Sequence, residues 1–368
     1  MIIIHFAEYA YGGVASYLRS TIQSQCSNDK VNKVILFCSD EKSESFDFSS
    51  NKFVNVRYHY RRNLNGIFKM LTVAKKAISM KPDIIHFHST FAGLCRLLIP
   101  LKRGYAVFYS SHGWSFLRQT DGELKHVIYA LIERALSIKT DKIINISKFE
   151  QKAALKRRLP KGKMIVIYNS ILPTVTIDKN IPSPFKNEST LKIGFIGRLD
   201  SPKGFPFLIK ALNRMDLSWE LMVIGESVVD DDEPYKAVDE SKIHFLGWID
   251  HQYIDSYFAF LDFLIVPSRW EGFGLVALES MKNSKPVLAS DAGGLPEIVK
   301  DGVNGYIFQK MSSESFERQF KKMKDSDLKK LGANGRRIMV DKFNYSYLQE
   351  LLFKAYETEL GEKNGVKG

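Results

Sequence analysis

The chain has 368 residues, of which 45% are hydrophobic and 26% charged, and it carries a formal net charge of +12. This length exceeds one ordinary hydrophobic core and indicates two domains, and the composition is typical of a soluble globular protein. The sequence has no run of about 18 apolar residues, which excludes a membrane-spanning helix.

The first residues and the cysteines indicate the cellular compartment of the protein. The start of the chain has no basic leader and no small-residue cleavage site, so it favours a first strand over a signal peptide. Cys26, Cys38 and Cys95 are odd in number and show no metal-like spacing. We therefore expect reduced thiols and a cytoplasmic protein.

The charge is concentrated in the first half of the chain. Residues 1–170 contain 27 Lys and Arg against 12 Asp and Glu (27 − 12 = +15), and the remainder contains 26 against 29 (26 − 29 = −3). A field this one-sided attracts an anionic partner, such as a lipid surface, a nucleic acid or a phosphorylated substrate. A solubilising surface explains any single basic cluster equally well.

Short β-branched runs alternate with segments of helical period in both halves of the chain. The predicted strands are residues 2–6, 34–38, 54–58, 84–87, 106–109, 143–146 and 165–167 in the first half, and 193–196, 221–224, 243–246, 263–266, 287–289 and 306–308 in the second. This alternation predicts an α/β protein with parallel sheets covered by helices on both faces.

A polar segment with three prolines separates the two halves and indicates a linker over residues 173–190. We therefore predict a first doubly wound, Rossmann-like domain over residues 1–172 and a second over residues 191–345, facing each other across a cleft. Residues 346–368 have a helical pattern, and we expect them to pack back on the first domain.

Loops that follow strands of a parallel sheet are where ligands bind. Gly12 and Gly13 follow the first strand and open a helix, where free amides attract an anion such as phosphate, although paired glycines also form ordinary turns. Arg198 and Lys203 follow a strand of the second domain and flank a turn that leads into a helix. Two cations at a helix N-terminus suit a diphosphate.

A third loop carries two glutamates on either side of a helix start. Glu271 precedes the predicted helix and Glu279 lies inside it, with seven residues between them. Two carboxylates beside a phosphate site would repel the phosphate unless they bind hydroxyl groups, so we assign them to sugar and ribose hydroxyls. The amides between them again face an anion; they belong to Gly272, Phe273, Gly274 and Leu275.

Histidines mark the ends of two further strands. His112 stands before a glycine at a strand end and could hydrogen-bond a sugar hydroxyl or support charge in a transition state. His86 and His88 alternate with Phe87, which indicates packing in the sheet or cleft first and acceptor contacts second.

Taken together, these motifs resemble the large family 4 of retaining glycosyltransferases, which have the GT-B fold. The resemblance covers nearly the whole chain. Its motifs are the Gly-Gly loop, the Ser-His-Gly step at 111–113, the Gly-Arg-Leu-x-x-x-Lys-Gly loop at 197–204, Phe-Leu-Gly at 245–247, the Glu-x7-Glu element, and the Asp-Ala-Gly-Gly-Leu-Pro-Glu run from 291 with Asp-Gly-x-x-Gly at 301–305.

The resemblance implies roles for the residues of the second domain. Arg198 and Lys203 would hold the donor diphosphate, and the amides of residues 272–275 would hold the β-phosphate and the sugar. Glu271 would contact the sugar hydroxyls near the reacting carbon, and Glu279 would bind the ribose. Residues from Trp248 onward would lie near the base, for which uracil is favoured.

The resemblance also implies the reaction. Gly12 and Gly13 would close over the phosphate, and His112 would bind the sugar or stabilise developing charge. Front-side attack, with the leaving phosphate accepting the acceptor's proton, needs no protein nucleophile, and neither a cofactor nor a metal ion is expected. The acceptor would be a glycan or a lipid-diphosphate-linked sugar of a surface polysaccharide, and the basic first half would rest on the anionic inner face of the cell membrane.

The sequence departs from the family pattern at three places. Ala15 stands where an acidic residue is frequent, Ser170 follows Asn169 where glycine is usual, and Ser227 ends the Gly-Glu-Gly motif. The first departure leaves the acceptor contacts open. An acidic run at 230–233 is interpreted as a solvated loop rather than a metal site.

Other functions fit parts of the pattern. Residues 272–277 match the dinucleotide fingerprint G-x-G-x-x-A, but they follow the fourth strand of their domain instead of the first, which argues against an NAD-dependent oxidoreductase. A sugar-nucleotide epimerase of similar fold is an alternative that would work without an acceptor. A nucleic-acid-binding protein would explain the net charge, but the sequence lacks a reading motif, so no nucleic-acid partner is expected.

Overall fold

The computed structural model describes residues 1–118, 121–226, 239–363 and 365. The chain forms two compact units, one of Met1–Ile171 with Tyr345–Gly368 and the other of Leu172–Asn344. Ser227 and the acidic run at 230–233 lie outside the described residues.

The first unit contains a seven-stranded sheet in the order β3-β2-β1-β4-β5-β6-β7, with every described pair parallel. Its strands are β1 (Ile2–Ala7), β2 (Lys33–Ser39), β3 (Phe53–Tyr58), β4 (Ile84–His88), β5 (Ala106–Ser110), β6 (Lys142–Asn145) and β7 (Met164–Val166). Its helices up to β7 are α1 (Gly13–Cys26), α2 (Leu64–Ser79), α3 (Thr90–Leu94), α4 (Glu123–Ser137) and α5 (Lys148–Lys156).

The second unit contains a six-stranded parallel sheet in the order β10-β9-β8-β11-β12-β13. Its strands are β8 (Leu191–Ile196), β9 (Trp219–Ile224), β10 (Ile243–Phe245), β11 (Phe263–Val266), β12 (Val287–Ser290) and β13 (Gly305–Phe308). Its helices are α6 (Phe205–Leu212), α7 (Ile254–Ala259), α8 (Leu275–Lys282), α9 (Leu295–Ile298), α10 (Ser313–Lys324) and α11 (Leu328–Lys342).

Local sequence explains where these elements form. The inner strands of the sheets, such as β4, and also β2 and β9, are rich in large apolar residues and are buried on both faces, as parallel strands between helix layers must be. Several helices begin at a side chain that accepts a hydrogen bond from the first turn, namely those of Asn63, Ser147, Ser312 and Asp327.

The predicted α/β class with two doubly wound parallel sheets is confirmed. In each sheet the strand order reverses beside the first strand of the unit, between β1 and β4 and between β8 and β11. Ligands of such sheets bind at this switch point, beyond the carboxyl ends of the strands. The fold therefore directs attention to the loops after β1, β4, β8 and β11.

The last helix, α12 (Tyr345–Lys363), packs on the first unit. Its Tyr345 hydroxyl donates to the Ser20 carbonyl oxygen at 2.8 Å, and the Tyr356 hydroxyl lies 2.7 Å from His86 Nδ1. Tyr356 is fully buried, so the helix contributes to the interior of that unit. No helix in the described part of the chain is long and apolar enough to cross a bilayer.

The segment predicted as a linker, residues 173–190, belongs to the second unit and contains neither helix nor strand. The Thr176 amide donates to Asp255 Oδ2 at 3.0 Å, and the amides of residues 186 and 187 both donate to the Glu220 carboxylate at 3.0 Å. Two buried acidic side chains thus hold this segment against its own unit.

Candidate active site

Three loops of the second unit meet at the switch point of its sheet. They follow β8 (residues 197–204), β11 (residues 267–274) and β12 (residues 291–294). The Arg269 amide donates to the Pro202 carbonyl oxygen at 2.9 Å, which joins the first two loops, and the Gly294 amide donates to the Glu271 carbonyl oxygen at 3.1 Å, which joins the last two. The three motifs quoted from the sequence therefore form one structural group.

Glycine is required where these loops touch. A Cβ on Gly204 would lie 2.0 Å from the Pro267 carbonyl oxygen, and one on Gly293 would lie 1.6 Å from the Glu271 carbonyl oxygen. Both glycines also have positive φ angles, +76° and +57°. Side chains at these positions would push the loops apart, so the two glycines fix the position of Glu271 relative to the loop after β8.

The charged side chains of this group are paired with one another. The Lys203 ammonium lies 2.6 Å from Glu271 Oε2, and Arg198 Nη2 lies 3.0 Å from Asp200 Oδ2. Asp200 also accepts a hydrogen bond from the Lys203 amide at 3.1 Å, which shapes the turn. The two cations therefore sit on one short turn, each beside a carboxylate.

Helix α8 begins where the predicted anion-facing amides lie. Gly274 has φ +107° and immediately precedes the helix, so the amides of Gly272, Gly274 and Leu275 belong to the turn at its N-terminus. The side chain of Phe273 is buried and packs edge-on against Phe343 at 5.7 Å. Phe273 thus anchors the loop through its side chain.

Glu279 lies in the second turn of α8 and is nearly buried. Its Oε1 atom is 3.3 Å from Nε2 of His251, a residue of the turn before α7. This partner is absent from the sequence-based prediction, because nothing in the spacing of residues 251 and 279 indicates contact. Glu271 and Glu279 therefore have different side-chain neighbours, a lysine and a histidine.

The Gly12–Gly13 loop lies in the first unit, after β1 and at the start of α1. Gly12 has φ +55°, and its amide donates to Glu44 Oε1 at 2.9 Å. The other carboxylate oxygen of Glu44 pairs with Arg19 at 3.0 Å. In this structure the amide predicted to face a phosphate faces a carboxylate of the same chain, which the sequence did not indicate.

His112 follows β5 and has φ +50°, a left-handed conformation that few residues other than glycine adopt. The residue is half-buried, and its ring packs edge-on against the buried Tyr17 at 4.8 Å. Burial lowers the pKa of His112 from 6.5 to about 3, so the ring is neutral at physiological pH.

Three more histidines lie beside His112 on neighbouring strands. His5, His86 and His88 are fully buried, and burial lowers the pKa of each of them, that of His5 to about 4. One ring nitrogen from each lies within 4.8 Å of the others, a spacing that a metal ion could use. The six ring nitrogens all have hydrogen-bond partners within the chain, however.

The predicted residues thus fall into two groups. Arg198, Lys203, Glu271, Glu279 and residues 272–275 surround the switch point of the second sheet. Gly12, Gly13 and His112 lie on loops after strands of the first sheet. The sequence-based prediction missed the partners of these residues; they are Asp200, His251, Glu44, Arg19 and the histidines around His112.

Family models match most of the chain. Residues 176–338 match the model described as glycosyl transferases group 1. Residues 11–174 match the model described as glycosyltransferase family 4.

Curated relatives match over most of their own length. An uncharacterised 41.2 kDa protein in the cps region of Klebsiella pneumoniae is 31% identical over 322 residues, covering 83% of this chain and 86% of the relative. An uncharacterised glycosyltransferase of Methanocaldococcus jannaschii is 30% identical over 328 residues, covering 84% of this chain and 87% of the relative.

Solved structures share the fold. Sucrose-phosphate synthase from Thermosynechococcus elongatus superposes with a TM-score of 0.80 at 20% identity, covering 97% of this chain and 99% of that one. HepE from Anabaena, solved in complex with UDP-glucose, gives a TM-score of 0.73 at 17% identity, covering 97% of this chain and 100% of that one.

Proposed function

The chain belongs to glycosyltransferase family 4, and from this premise we propose that it moves a sugar from a nucleotide diphosphate sugar to a glycan or lipid-linked acceptor with retention of configuration. The observation that carries this proposal is the meeting of three loops at the switch point of the second sheet. They bring Arg198, Lys203 and Glu271 onto one surface beside the start of α8.

The donor diphosphate is proposed to bind Arg198 and Lys203. Each cation pairs with a carboxylate of the chain, and a diphosphate offers more negative charge and more acceptor oxygens than either carboxylate. Binding would therefore turn Lys203 toward the phosphate and release Glu271 for the hydroxyls of the donor sugar. The amides of residues 272–275 complete the phosphate site, since the N-terminus of a helix favours anions.

Glu279 is proposed to bind the ribose hydroxyls. Its carboxylate is nearly buried, and its one described side-chain partner, His251, is 3.3 Å away. A ribose diol supplies two donors to a carboxylate, which suits a residue with this little solvent around it. A uridine base is favoured, and the UDP-glucose complex of the structurally similar HepE supports this choice.

The reaction is proposed to follow front-side attack without a metal ion. The acceptor hydroxyl oxygen forms a bond to the anomeric carbon as the bond from that carbon to the phosphate oxygen breaks, and the proton of the hydroxyl passes to the leaving phosphate. The enzyme then stabilises the leaving diphosphate with fixed cations and amides. Gly12 and Gly13 are proposed to contact phosphate, and His112 to contact the sugar.

The acceptor is proposed to be a lipid-diphosphate-linked sugar in an anionic membrane, on which the first unit rests. The reaction would then belong to the synthesis of a surface polysaccharide. The position of the Klebsiella relative in a cps region supports the pathway class. Helix α4 supports the surface, because it exposes several large apolar side chains and also carries the exposed Lys125 and Arg134. The exposed apolar residues of α4 are Leu124, Val127, Ile128, Leu131 and Ile132, and the exposed Ile138 follows the helix directly.

Two experiments test this proposal. Purified protein is incubated with UDP-glucose, UDP-galactose and GDP-mannose, with and without lipid-linked acceptor, and nucleotide release is measured together with the anomeric configuration of the product by NMR. Release that requires the acceptor and retains configuration supports the proposal, whereas conversion of the sugar nucleotide without acceptor supports the epimerase alternative.

The membrane surface is tested by sedimentation with liposomes of 30% anionic lipid, for the wild type and for Leu131→Glu. Equal amounts of both proteins in the liposome pellet would remove α4 from the proposal.

A further inference from the structure

A row of hydrogen-bonded side chains leads from the interior of the first unit to His112. The strands β1 and β4 are neighbours, with His5 opposite His86 in the parallel register, and β4 ends at His88. Gln25 Oε1 lies 2.8 Å from His5 Nε2, His5 Nδ1 lies 2.9 Å from His88 Nε2, and His88 Nδ1 lies 2.9 Å from His112 Nε2. His5 and His88 each use one ring nitrogen toward either neighbour in the row, and His112 uses its Nε2 atom toward His88.

The chemistry of a neutral imidazole makes this row directional. One ring nitrogen carries a proton and donates, and the other has a lone pair and accepts. Because the Gln25 carbonyl oxygen can only accept, His5 must donate from Nε2 and accept at Nδ1. His88 then donates from Nε2 and accepts at Nδ1, so His112 must donate from Nε2.

Burial keeps all members of the row neutral. The pKa values of His5 and His112 are lowered to about 4 and about 3, and that of His88 is lowered as well, in each case chiefly because burial removes water from the charged form. A neutral row of this kind has two arrangements, with all donors pointing one way or the other. The Gln25 amide presents its oxygen to His5 Nε2, and this orientation selects the arrangement in which His112 donates from Nε2.

We propose that Gln25, His5 and His88 are positioning residues that fix the tautomer of His112, leaving its Nδ1 atom as a hydrogen-bond acceptor for a substrate hydroxyl. Nδ1 is the ring nitrogen of His112 that has no partner among the described residues, and His112 is the one half-buried residue of a row whose other members are buried. This inference rests on the proposed function, because it takes His112 to contact the substrate.

The proposal selects one of the two roles predicted for His112. A neutral ring with a lone pair on Nδ1 accepts from a sugar hydroxyl but offers no proton and no positive charge to a phosphate oxygen. The ring is also fixed in direction, because Tyr17 packs edge-on against it and His88 holds its other nitrogen. A defined hydroxyl position on the substrate is therefore what this arrangement recognises.

His86 belongs to a second branch, and its ring packs against that of His88 at 4.1 Å. Its Nδ1 lies 2.7 Å from the Tyr356 hydroxyl and its Nε2 lies 2.9 Å from Ser110 Oγ. With both branches complete, a metal ion among His5, His86 and His88 would have to break several of these hydrogen bonds.

The test is the tautomer of His112 in the full-length protein, read from long-range ¹H–¹⁵N correlations of ¹⁵N-histidine-labelled samples at pH 7.5. The His112 signals are assigned by their loss in His112→Gln. We expect the proton on Nε2 in the wild type. A proton on Nδ1 of His112 in the wild type overturns the proposal without any other variant and independently of enzyme activity.

Variants of Gln25 test the anchor. Gln25→Leu should give a mixture of His112 tautomers, and Gln25→Glu, which keeps an acceptor oxygen, should restore the Nε2 proton. Gln349→Leu removes another buried glutamine of the same unit and should leave the His112 signals unchanged. An unchanged tautomer in Gln25→Leu would contradict the proposal.

Kinetics then connect the tautomer to the substrate. Gln25→Leu should raise the KM for the sugar nucleotide about threefold to tenfold, the effect of one lost hydrogen bond, and Gln25→Glu should recover most of it. If the wild type turns over no sugar nucleotide, the proposed function fails. The NMR measurement still shows whether Gln25, His5 and His88 fix the tautomer of His112. A mixed tautomer with unchanged KM would refute the contact between His112 and the substrate.

Discussion

The ammonium of Lys203 lies 2.6 Å from the carboxylate of Glu271, across 68 positions of sequence. This pair joins the loop after β8 to the loop after β11, the two loops on either side of the switch point of the second sheet. Both side chains are partly accessible to solvent. We propose that the donor exchanges with this pair, a phosphate replacing the carboxylate beside Lys203 and a sugar hydroxyl replacing the ammonium beside Glu271.

Replacing Lys203 by alanine should lower kcat by about 10² to 10³, equivalent to a loss of about 2–4 kcal/mol of transition-state stabilisation. The reason is that the leaving diphosphate loses a fixed cation. Steady-state transfer measures the effect, with Lys210→Ala as control because Lys210 is an exposed lysine on the following helix, α6. Wild-type turnover in Lys203→Ala would remove this residue from the diphosphate site.

Replacing Glu279 by alanine should raise the KM for the donor about tenfold or more and change kcat little. A ribose contact is the same in the ground state and the transition state, so its loss weakens binding uniformly. Donor titrations of initial rate measure both constants. Glu317→Ala is the control, because it removes an exposed glutamate whose ion pair with Lys321 on α10 contributes little. A fall in kcat at constant KM would place Glu279 nearer the reacting atoms.

Gly293→Ala should weaken both the fold and the activity. A Cβ there would lie 1.6 Å from the Glu271 carbonyl oxygen, so the loop that presents Glu271 must move. Gly302→Ala is the matched control, because Gly302 also has a positive φ, +71°, but a Cβ there would have no heavy atom within 4 Å. Urea unfolding should show a cost of about 1 kcal/mol for Gly302→Ala, from backbone conformation alone, and about 1–3 kcal/mol more for Gly293→Ala. Equal costs for the two variants would contradict the crowding argument.

Much of the fold followed from the sequence because its parallel strands are nearly uniform in character. All thirteen predicted strand runs overlap strands of the structure. The runs are continuous and β-branched since both faces of each sheet are covered, and helices fill the intervals between them. The turn residues Gly204 and Gly274 marked loop-to-helix junctions for the same kind of local reason.

The partners of the site residues could not be predicted, because they depend on which loops touch. Asp200 is close to Arg198 in sequence, but Glu271 reaches Lys203 and His251 reaches Glu279 only through the packing of separate loops. His86 and His88 were interpreted first as packing in the sheet or cleft. They are indeed buried in the sheet, but they also belong to hydrogen-bonded branches that depend on the register of β1 against β4.

Acidification should destabilise the first unit before its carboxylates titrate. The pKa values of His5, His86 and His88 are lowered by burial, so as the pH falls below 6.5 the unfolded chain binds protons that the folded unit does not. This loss of stability is absent at pH values above the unfolded pKa of about 6.5. It grows as the pH falls toward about 4, the pKa of His5 in the folded protein. The free energy of unfolding should therefore fall by up to about 1.4 kcal/mol per pH unit for each histidine.

Urea titrations between pH 7.5 and 5 measure this slope. A stability that stays constant from pH 6.5 to 5 would show that the buried histidines are charged in the folded protein or that they are accessible to water.

The central claim is that the second unit binds a nucleotide diphosphate sugar through Arg198 and its neighbours. The most direct test is a thermal-shift panel of UDP-, GDP-, ADP- and dTDP-sugars, with NAD as control, on the wild type and on Arg198→Ala. We predict that one class of sugar nucleotide, expected to be the UDP-sugars, raises the Tm by about 5–10 °C at 100 times its Kd and that Arg198→Ala loses most of this shift. A shift with NAD alone, or with no sugar nucleotide, would contradict the account.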